Sequence, residues 1–479
     1  MNSVVNFTQI NKKYKHIKMK IYNHKLIIIM LIVASIWSSC KITKPYTKPA
    51  TSVTYRDSEN KDTINIATMK WSELFTDPAL QQLISDGLAA NLDLKIAVER
   101  INQATVNVKL SKAAFLPSVT GNLSVKESRL AFPQGFGLFD QSTQYDLGIS
   151  AGWEIDVWGK LKSAKKSALA NLLATDAAKR AVQTQLIANI ANSYYELLIL
   201  DEQLKVLKKT AKNRETDAET IKVLFENSII NGVAVVQSEA NFYEAELAIP
   251  DIEQKITETE NALCILLAKS PTKIVRSSLE KQKLTYDLKI GVPMQLLANR
   301  PDVQQAEYNF RAAFEESNVA RAYFYPALTI SGAAGFSSFG LKDWFTNGGL
   351  FGNIAGGLAQ PIFNKGINKG RLATALSLQK EALYNFEFSM LKASEEVSNA
   401  LSEYDNAALK EEKRKKQLEA LLKAVEFNKE LLNNSTTNYT DVLTAEQNLL
   451  NAQLRGIDDQ SQKLHAVVNL YRALGGGWN

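Results

Sequence analysis

Cysteine is almost missing from this chain: 479 residues hold two, Cys40 and Cys264. That excludes a disulfide framework, and Cys264, inside the apolar run Ala262 to Leu267, reads as a small core residue on a helix. Histidine is equally scarce. Beyond Cys40 only His465 remains, a lone side chain in a helical pattern whose expected role is structural. No Cys/His spacing suits a metal, no glycine loop precedes a phosphate-binding lysine, and Met69, Met294 and Met390 are too scattered for a soft-metal relay. No catalytic residue, cofactor or bound metal is therefore expected. Net charge is also missing once its source is found. The formal +6 comes from six lysines ahead of Cys40, in a stretch without an acid; the remainder carries 50 basic against 50 acidic residues. Such a balance offers no global field for nucleic acid, and the charge-dense Lys410 to Lys416 reads as a solvated helix face. No apolar run is long enough for a membrane helix: Leu26 to Trp37 spans about twelve residues against the roughly 20 required. Proline and glycine are absent from Leu161 to Glu226, and proline is absent from 364 to 479.

What is present begins with a leader. Basic residues, the apolar run and then Ser38-Ser39-Cys40 read as an export signal over 1–39, starting at Met1 or at Met19. The arrangement resembles bacterial lipoprotein signals, in which the cysteine becomes the lipidated first residue, although Trp37 stands where an aliphatic is usual. A plain secretory signal is the alternative. Residues 40–70, rich in Thr, Lys, Pro and Ser, read as a tether.

The body holds four alternating stretches. From Tyr145 to Val157 the odd positions are apolar (Tyr145, Leu147, Ile149, Ala151, Trp153, Ile155, Val157), and the even positions are polar or small. Strand side chains alternate between faces, so one face is apolar and the other polar and narrow, as in a membrane β-barrel strand. Strands are expected at about 118–126, 144–158, 327–337 and 350–363. Trp71 to Phe115 has a helical pattern, with Asp77 a cap and Pro78 at the first helical position.

Between the strands lie helices of unusual length. Leu186, Ile190, Ser193, Leu197, Leu200, Leu204, Leu207 and Ala211 alternate steps of four and three, a coiled-coil seam. A helix over the whole of Leu161 to Glu226 would run about 100 Å at 1.5 Å per residue. A turn near 231–234 leads to a returning helix from Val235 to Ala268, with Pro250 an expected kink. A second long helix is expected from Ile367 to Leu432, a turn near 433–439, and a return carrying Leu450, Leu454, Ile457, Ser461, Leu464, Val468 and Tyr471. Three landmarks repeat at nearly one offset. Phe115-Leu116-Pro117 returns as Phe324-Tyr325-Pro326, Asp156 to Lys160 as Pro361 to Lys365, and Val235 to Glu239 as Val442 to Glu446. The chain reads as an internal duplication, with repeats 71–280 and 281–479. Four strands cannot close a membrane barrel, and an open edge in lipid leaves backbone groups unpaired at several kcal/mol each. Copies of the chain must complete the sheet, and a ring of them encloses a pore.

Leu296 to Val303 with Ala306-Glu307, the turn Gly232-Val233-Ala234, the stretch Tyr439 to Glu446 and Trp153 to Gly159 together resemble the outer-membrane factors of tripartite (RND-type) efflux systems, the TolC-like, NodT-type lipoproteins. The resemblance spans about Trp71 to Gly477. It implies an α+β membrane protein: a homotrimer sharing a twelve-stranded barrel in the outer membrane, with a coiled-coil helical tunnel into the periplasm. It implies a periplasmic adaptor and an inner-membrane pump as partners, with Gly232, Val233, Ala234, Asn438, Tyr439 and Thr440 at the adaptor-contacting tips. The family's gate positions fall on Asp441 and Thr444; the second is commonly aspartate, which weakens a double acidic ring. Capping of the returning helix is the alternative role for Asp441. A duct for protein secretion of type I is the second reading, and a lipid-anchored envelope scaffold without a pore the third; the alternating strands argue against the scaffold.

Overall fold

The computed structural model describes residues 42–49, 69–129, 141–282, 300–433 and 438–478. The expected signal, Cys40, most of the tether, Leu296 to Asn299 and the centre of the second turn lie outside them. The elements, in order, are α1 (Trp71–Leu74), α2 (Pro78–Ala90), α3 (Leu92–Ala113), β1 (Ser118–Arg129), β2 (Gln141–Ile155), α4 (Lys160–Glu226), α5 (Gly232–Leu266), α6 (Pro301–Ala322), β3 (Ala327–Ser338), β4 (Leu350–Ala359), α7 (Ile367–Asn433) and α8 (Tyr439–Ala473), with short 3-10 turns at Leu279–Lys281 and Leu341–Asp343. No described helix is long and apolar enough to cross a membrane.

The duplication is visible as matched lengths. Helices α3 and α6 each have 22 residues, α4 and α7 each 67, and α5 and α8 each 35. The helix ends repeat too. Ala268 (φ 52) and Gly475 (φ +79) follow the ends of α5 and α8, and both turn left-handed. In each case the next N–H reaches back to close the helix, Lys269 to the Cys264 carbonyl and Gly476 to that of Tyr471, both at 2.9 Å. Glycine is favoured at 475, where φ is +79 and a Cβ would stand 3.1 Å from Arg300 Cα.

Two compact units are present. The first contains the sheet, an antiparallel meander in the order β1-β2-β3-β4. Among the described residues, the outer edges of β1 and β4 have no partner strand. The register sorts most side chains by face, with Phe351, opposite Gly335, an apolar ring on the polar side. Val119, Leu123 and Val125 of β1 stand opposite Ala151, Leu147 and Tyr145 of β2. Leu147, Ile149, Trp153 and Ile155 then stand opposite Phe336, Ala334, Ile330 and Leu328 of β3, and Leu350, Ile354 and Leu358 continue the face in β4. On the other face lie Thr120, Asn122, Ser124, Asp146, Ser150, Thr329, Ser331, Ser337 and Asn353. The apolar face is uncovered in the chain by itself: Ile354 is 82% exposed and Leu123 69%. Gly335 allows the closest strand approach, since a Cβ there would fall 2.5 Å from Gly148 Cα.

Two strand ends differ from expectation. β2 stops at Ile155 rather than near 158, because Asp156 leaves the ladder to accept the N–H groups of Leu161 and Lys162 (3.0 and 2.8 Å) at the start of α4. β4 stops at Ala359 rather than Phe363, because Pro361 has no N–H for the ladder. The stretch from Trp71 to Phe115, read as helical with a cap at Asp77, is also broken at Asn91. Asp77 caps α2 through Ala79 N (2.9 Å), and Asn91 caps α3 through Leu94 N (3.0 Å) while its amide donates to the last-turn carbonyl of Leu266 (2.9 Å).

The second unit is helical. Its core gathers Phe75, Leu80 and Ile84 from the early helices with Ile187, Ile190, Tyr194 and Leu197 of α4, Leu263 and Cys264 of α5, Phe386 and Val397 of α7, and Val468 and Tyr471 of α8. Six members of the first seam are buried, Leu186, Ile190, Leu197, Leu200, Leu207 and Ala211, while Leu204 packs partly and Ser193 stays half-exposed. Cys264 is a buried free thiol. His465 Nδ1 lies 2.7 Å from Asn192 Oδ1, a structural contact between α8 and α4. Helix α5 passes through Pro250 without ending.

Candidate functional site

The tips of the two helical hairpins are built alike. Asn231 precedes α5 and accepts Ala234 N at 3.2 Å; Asn438, its counterpart in the second hairpin, precedes α8 in a capping box whose other member is Asp441. The Asp441 carboxylate faces back to Asn438 N at 3.4 Å, and Thr444 Oγ1 donates to the Thr440 carbonyl at 2.8 Å. Of the expected tip and gate residues, Val233, Ala234, Asn438, Tyr439, Thr440 and Thr444 line one groove of about 1200 Å3, while Gly232 and Asp441 are not part of its lining. They are not equivalent. Val233 is 74% exposed, and Asn438 and Thr440 face solvent. Tyr439 turns inward and is buried with Ile221 and Val442 against Leu224, Ile230, Leu432 and Leu443. Its phenol titrates above its ordinary range, first through burial and then through the Asp217 and Glu446 carboxylates.

A polar cluster beside the tips was not legible in the sequence. Arg214, with its side chain 6% exposed, donates to the Asn241 carbonyl at 2.8 Å and to Gln447 Oε1, and lies 3.5 Å from Glu244. One helical turn on, Asp217 and Glu446 share Lys429, whose Nζ is 3.7 Å from Asp217 and 2.6 Å from Glu446. Two carboxylates thus face one ammonium. Burial, then Glu446, raises the Asp217 pKa against the pull of Lys429. The cluster ties α4 to α7 and α8. Nothing in Arg214-Glu215-Thr216-Asp217 distinguishes it from an ordinary solvated helix turn, which is why sequence patterning passes over it.

The Arg300-Pro301-Asp302 stretch is a structural junction. The Arg300 guanidinium is 4% exposed, donates to Asp302 (3.0 and 2.7 Å) and Glu396 (2.8 Å), and closes the end of α8 by donating to the Ala473 carbonyl at 2.8 Å. Burial raises the Asp302 pKa, but its hydrogen bonds to Arg300 outweigh that and hold the carboxyl below its usual range. Asp77 is held low in the same way: its burial is outweighed by hydrogen bonds from Ser277, Tyr194 (2.6 Å) and Gln282 (2.6 Å). Among the described residues no group of His, Cys, Asp or Glu is arranged to hold a metal.

A sheet apolar on one face and polar on the other, with two unpaired edges and with paired 67- and 35-residue helices elsewhere in the chain, defines a channel subunit of the TolC-like α+β class. The chain belongs to the outer membrane efflux protein family, whose model matches it twice, over residues 83–269 and 292–476. One match falls in each half of the internal repeat. Among relatives, the probable outer membrane lipoprotein SilC of Salmonella typhimurium is 28% identical, covering 95% of this chain and 99% of its own. The solvent efflux pump outer membrane protein SrpC of Pseudomonas putida is 29% identical, covering 92% and 96%. The outer-membrane channel OprN has the same fold, with a TM-score of 0.85 at 24% identity over 92% of this chain and all of its own. The protein is thus an efflux channel component of the outer membrane.

Proposed function

We propose that the chain forms, as a homotrimer, the outer-membrane exit duct of a tripartite efflux pump, passing small toxic compounds delivered through a periplasmic adaptor by an inner-membrane RND pump. The observation that carries the reading is the sheet: four strands with an exposed apolar face and two unpaired edges satisfy their backbone only when other copies close the barrel. Three copies supply twelve strands. Cys40 is the lipidated residue after removal of 1–39, a reading supported by the lipoprotein relative. Gly232, Val233, Ala234, Asn438 and Thr440 form the adaptor surface, with Tyr439 beneath it as support. Asp441 takes part in the gate near the axis, and Thr444 stands beside it. The capping box favours a more local role for Asp441, so both are put to one test.

That test is single-channel conductance in planar bilayers, wild type beside Asp441→Ala. A mostly closed wild type and a more conductive variant are expected. Equal conductance removes Asp441 from the gate, and no channel from a folded oligomer rejects the duct in favour of a scaffold. For the tips, Val233→Glu is expected to reduce drug resistance in cells while leaving oligomer abundance unchanged; unchanged resistance rejects the adaptor surface. The protein-secretion alternative predicts loss of a secreted protein, with drug resistance intact, when the gene is deleted.

A further inference from the structure

At the end of the sheet where β2 and β4 finish and β3 begins there is a groove of about 490 Å3. Three aromatic rings, Trp158, Tyr323 and Tyr325, stand in its lining beside Glu154, Asp156 and Lys160. Trp158 and Tyr325 lie with ring centroids 5.3 Å apart, and the Trp158 indole donates to the Pro326 carbonyl at 2.6 Å. Tyr323 carries two cations on its ring, Lys160 Nζ at 5.0 Å and Arg371 Cζ at 3.9 Å, and its carbonyl accepts from Asn368 at 2.8 Å. Just past Pro361 the chain presents Ile362 and Phe363, 99% and 85% exposed. Two large apolar side chains left side by side in water are unfavourable, so this end calls for an apolar cover.

The charge of the segment that leads on from the groove is one-sided. No Asp or Glu occurs from Trp344 to Lys380, a stretch that holds Lys365, Lys369 and Arg371. Among the described residues none of these three pairs with a carboxylate, and the Arg371 hydrogen bond goes to the neutral Asn368 Oδ1 at 3.2 Å. The nearby acids are already engaged, Glu154 by Lys160 at 2.7 Å and Asp156 by the backbone of α4. The N-terminal segment is fixed at this end too. The main chain of Lys44 exchanges two 3.0 Å hydrogen bonds with the Asn318 amide, and Thr43 lies beside Gly159. These residues follow Cys40 by only three and four positions.

We propose that this end of the sheet binds an anionic phospholipid. The phosphodiester is held by Lys365 and Lys369, with Arg371 adding positive potential from its place over Tyr323, and the acyl chains lie against Ile362, Phe363 and the outward-facing Leu358. A free anion would satisfy the cations and leave the apolar side chains in water; an amphiphile matches both. The inference rests on the sheet being embedded in the membrane, but not on the gate or the adaptor.

The test uses the full-length protein, purified in neutral detergent, with melting temperature and native mass spectrometry as readouts. Phosphatidylglycerol is expected to raise the melting temperature by about 3 °C or more and to persist as a bound adduct, with a smaller effect of phosphatidylcholine and none of inorganic phosphate. The Lys365→Gln/Lys369→Gln variant is expected to bind phosphatidylglycerol about tenfold more weakly, with Lys365→Arg/Lys369→Arg restoring it; Arg371→Gln is the independent second variant. Equal stabilisation by the two lipids, or undiminished binding in both Gln variants, overturns the proposal. Stabilisation by inorganic phosphate alone also overturns it and assigns an ion site. Bilayer conductance of the same variants is expected to match wild type. Lipid binding lost with conductance intact keeps the two readings separate; absence of conductance in the wild type with lipid binding intact counts against the duct alone.

Discussion

At the scale of single residues, the tip cluster makes the sharpest prediction. Asp217 has its pKa raised in the folded protein, by burial first and by Glu446 second. A carboxyl raised on folding contributes stability below its unfolded pKa and loses that contribution as pH rises through the folded value. Asp217→Asn removes the penalty and leaves Lys429 paired one-to-one with Glu446. Amide exchange at the tips is therefore expected to be slower in the variant than in wild type at pH 8 and equal at pH 4; faster exchange at pH 8 rejects the reading. Asp302 behaves oppositely. Arg300 holds it low, so its contribution is present above the unfolded pKa and is lost as pH falls through the folded one. Arg300→Ala uncaps α8 and leaves Glu396 with the longer 3.4 Å contact to Arg472. The expected cost, in urea unfolding at neutral pH, is roughly 3 kcal/mol, the low end for breaking a buried pair because the Asp302 side chain is 46% exposed.

At the scale of elements, the sheet can be tested face against face. Ile354 and Asn353 are neighbours in β4 on opposite faces. Ile354→Arg is expected to cost about 2–4 kcal/mol of folding stability in bilayers, while Asn353→Arg costs little. Equal tolerance would mean that the exposed apolar face does not meet lipid. The helical seam gives a second case. Leu197 is fully buried in α4, and Leu197→Ala is expected to lower thermal stability by about 2–5 kcal/mol. The elements themselves were largely legible from sequence, because their patterns are local. Alternation marked all four strands, and the lack of proline and glycine marked α4 almost to the residue, predicted from Leu161 and observed from Lys160 to Glu226. The errors occur where a local competitor wins. Asp156 prefers capping to pairing, Pro361 cannot pair, and Asn91 breaks a region that periodicity alone reads as continuous helix.

At the scale of the whole molecule, the isolated chain is incomplete by its own chemistry. Among the described residues β1 and β4 each leave an edge unpaired, and large apolar side chains remain exposed on the sheet and on the long helices, among them Leu247, Tyr384 and Phe388. Sedimentation in detergent is expected to find three chains per particle, and a stable monomer would reject the shared barrel. Composition, alternation, the internal repeat and the seam spacings were determined by the sequence alone, because each depends on residues near one another along the chain or on a copied pattern. The strand order and register, the burial of Tyr439 beside the exposed Val233, Asn438 and Thr440, the Arg214 and Asp217–Lys429–Glu446 cluster, and the meeting of Arg300 with Glu396 and the end of α8 were decided only by tertiary structure. Their partners lie far apart along the chain, as Arg214 and Gln447 do, and no local pattern encodes which distant polar groups will be buried together.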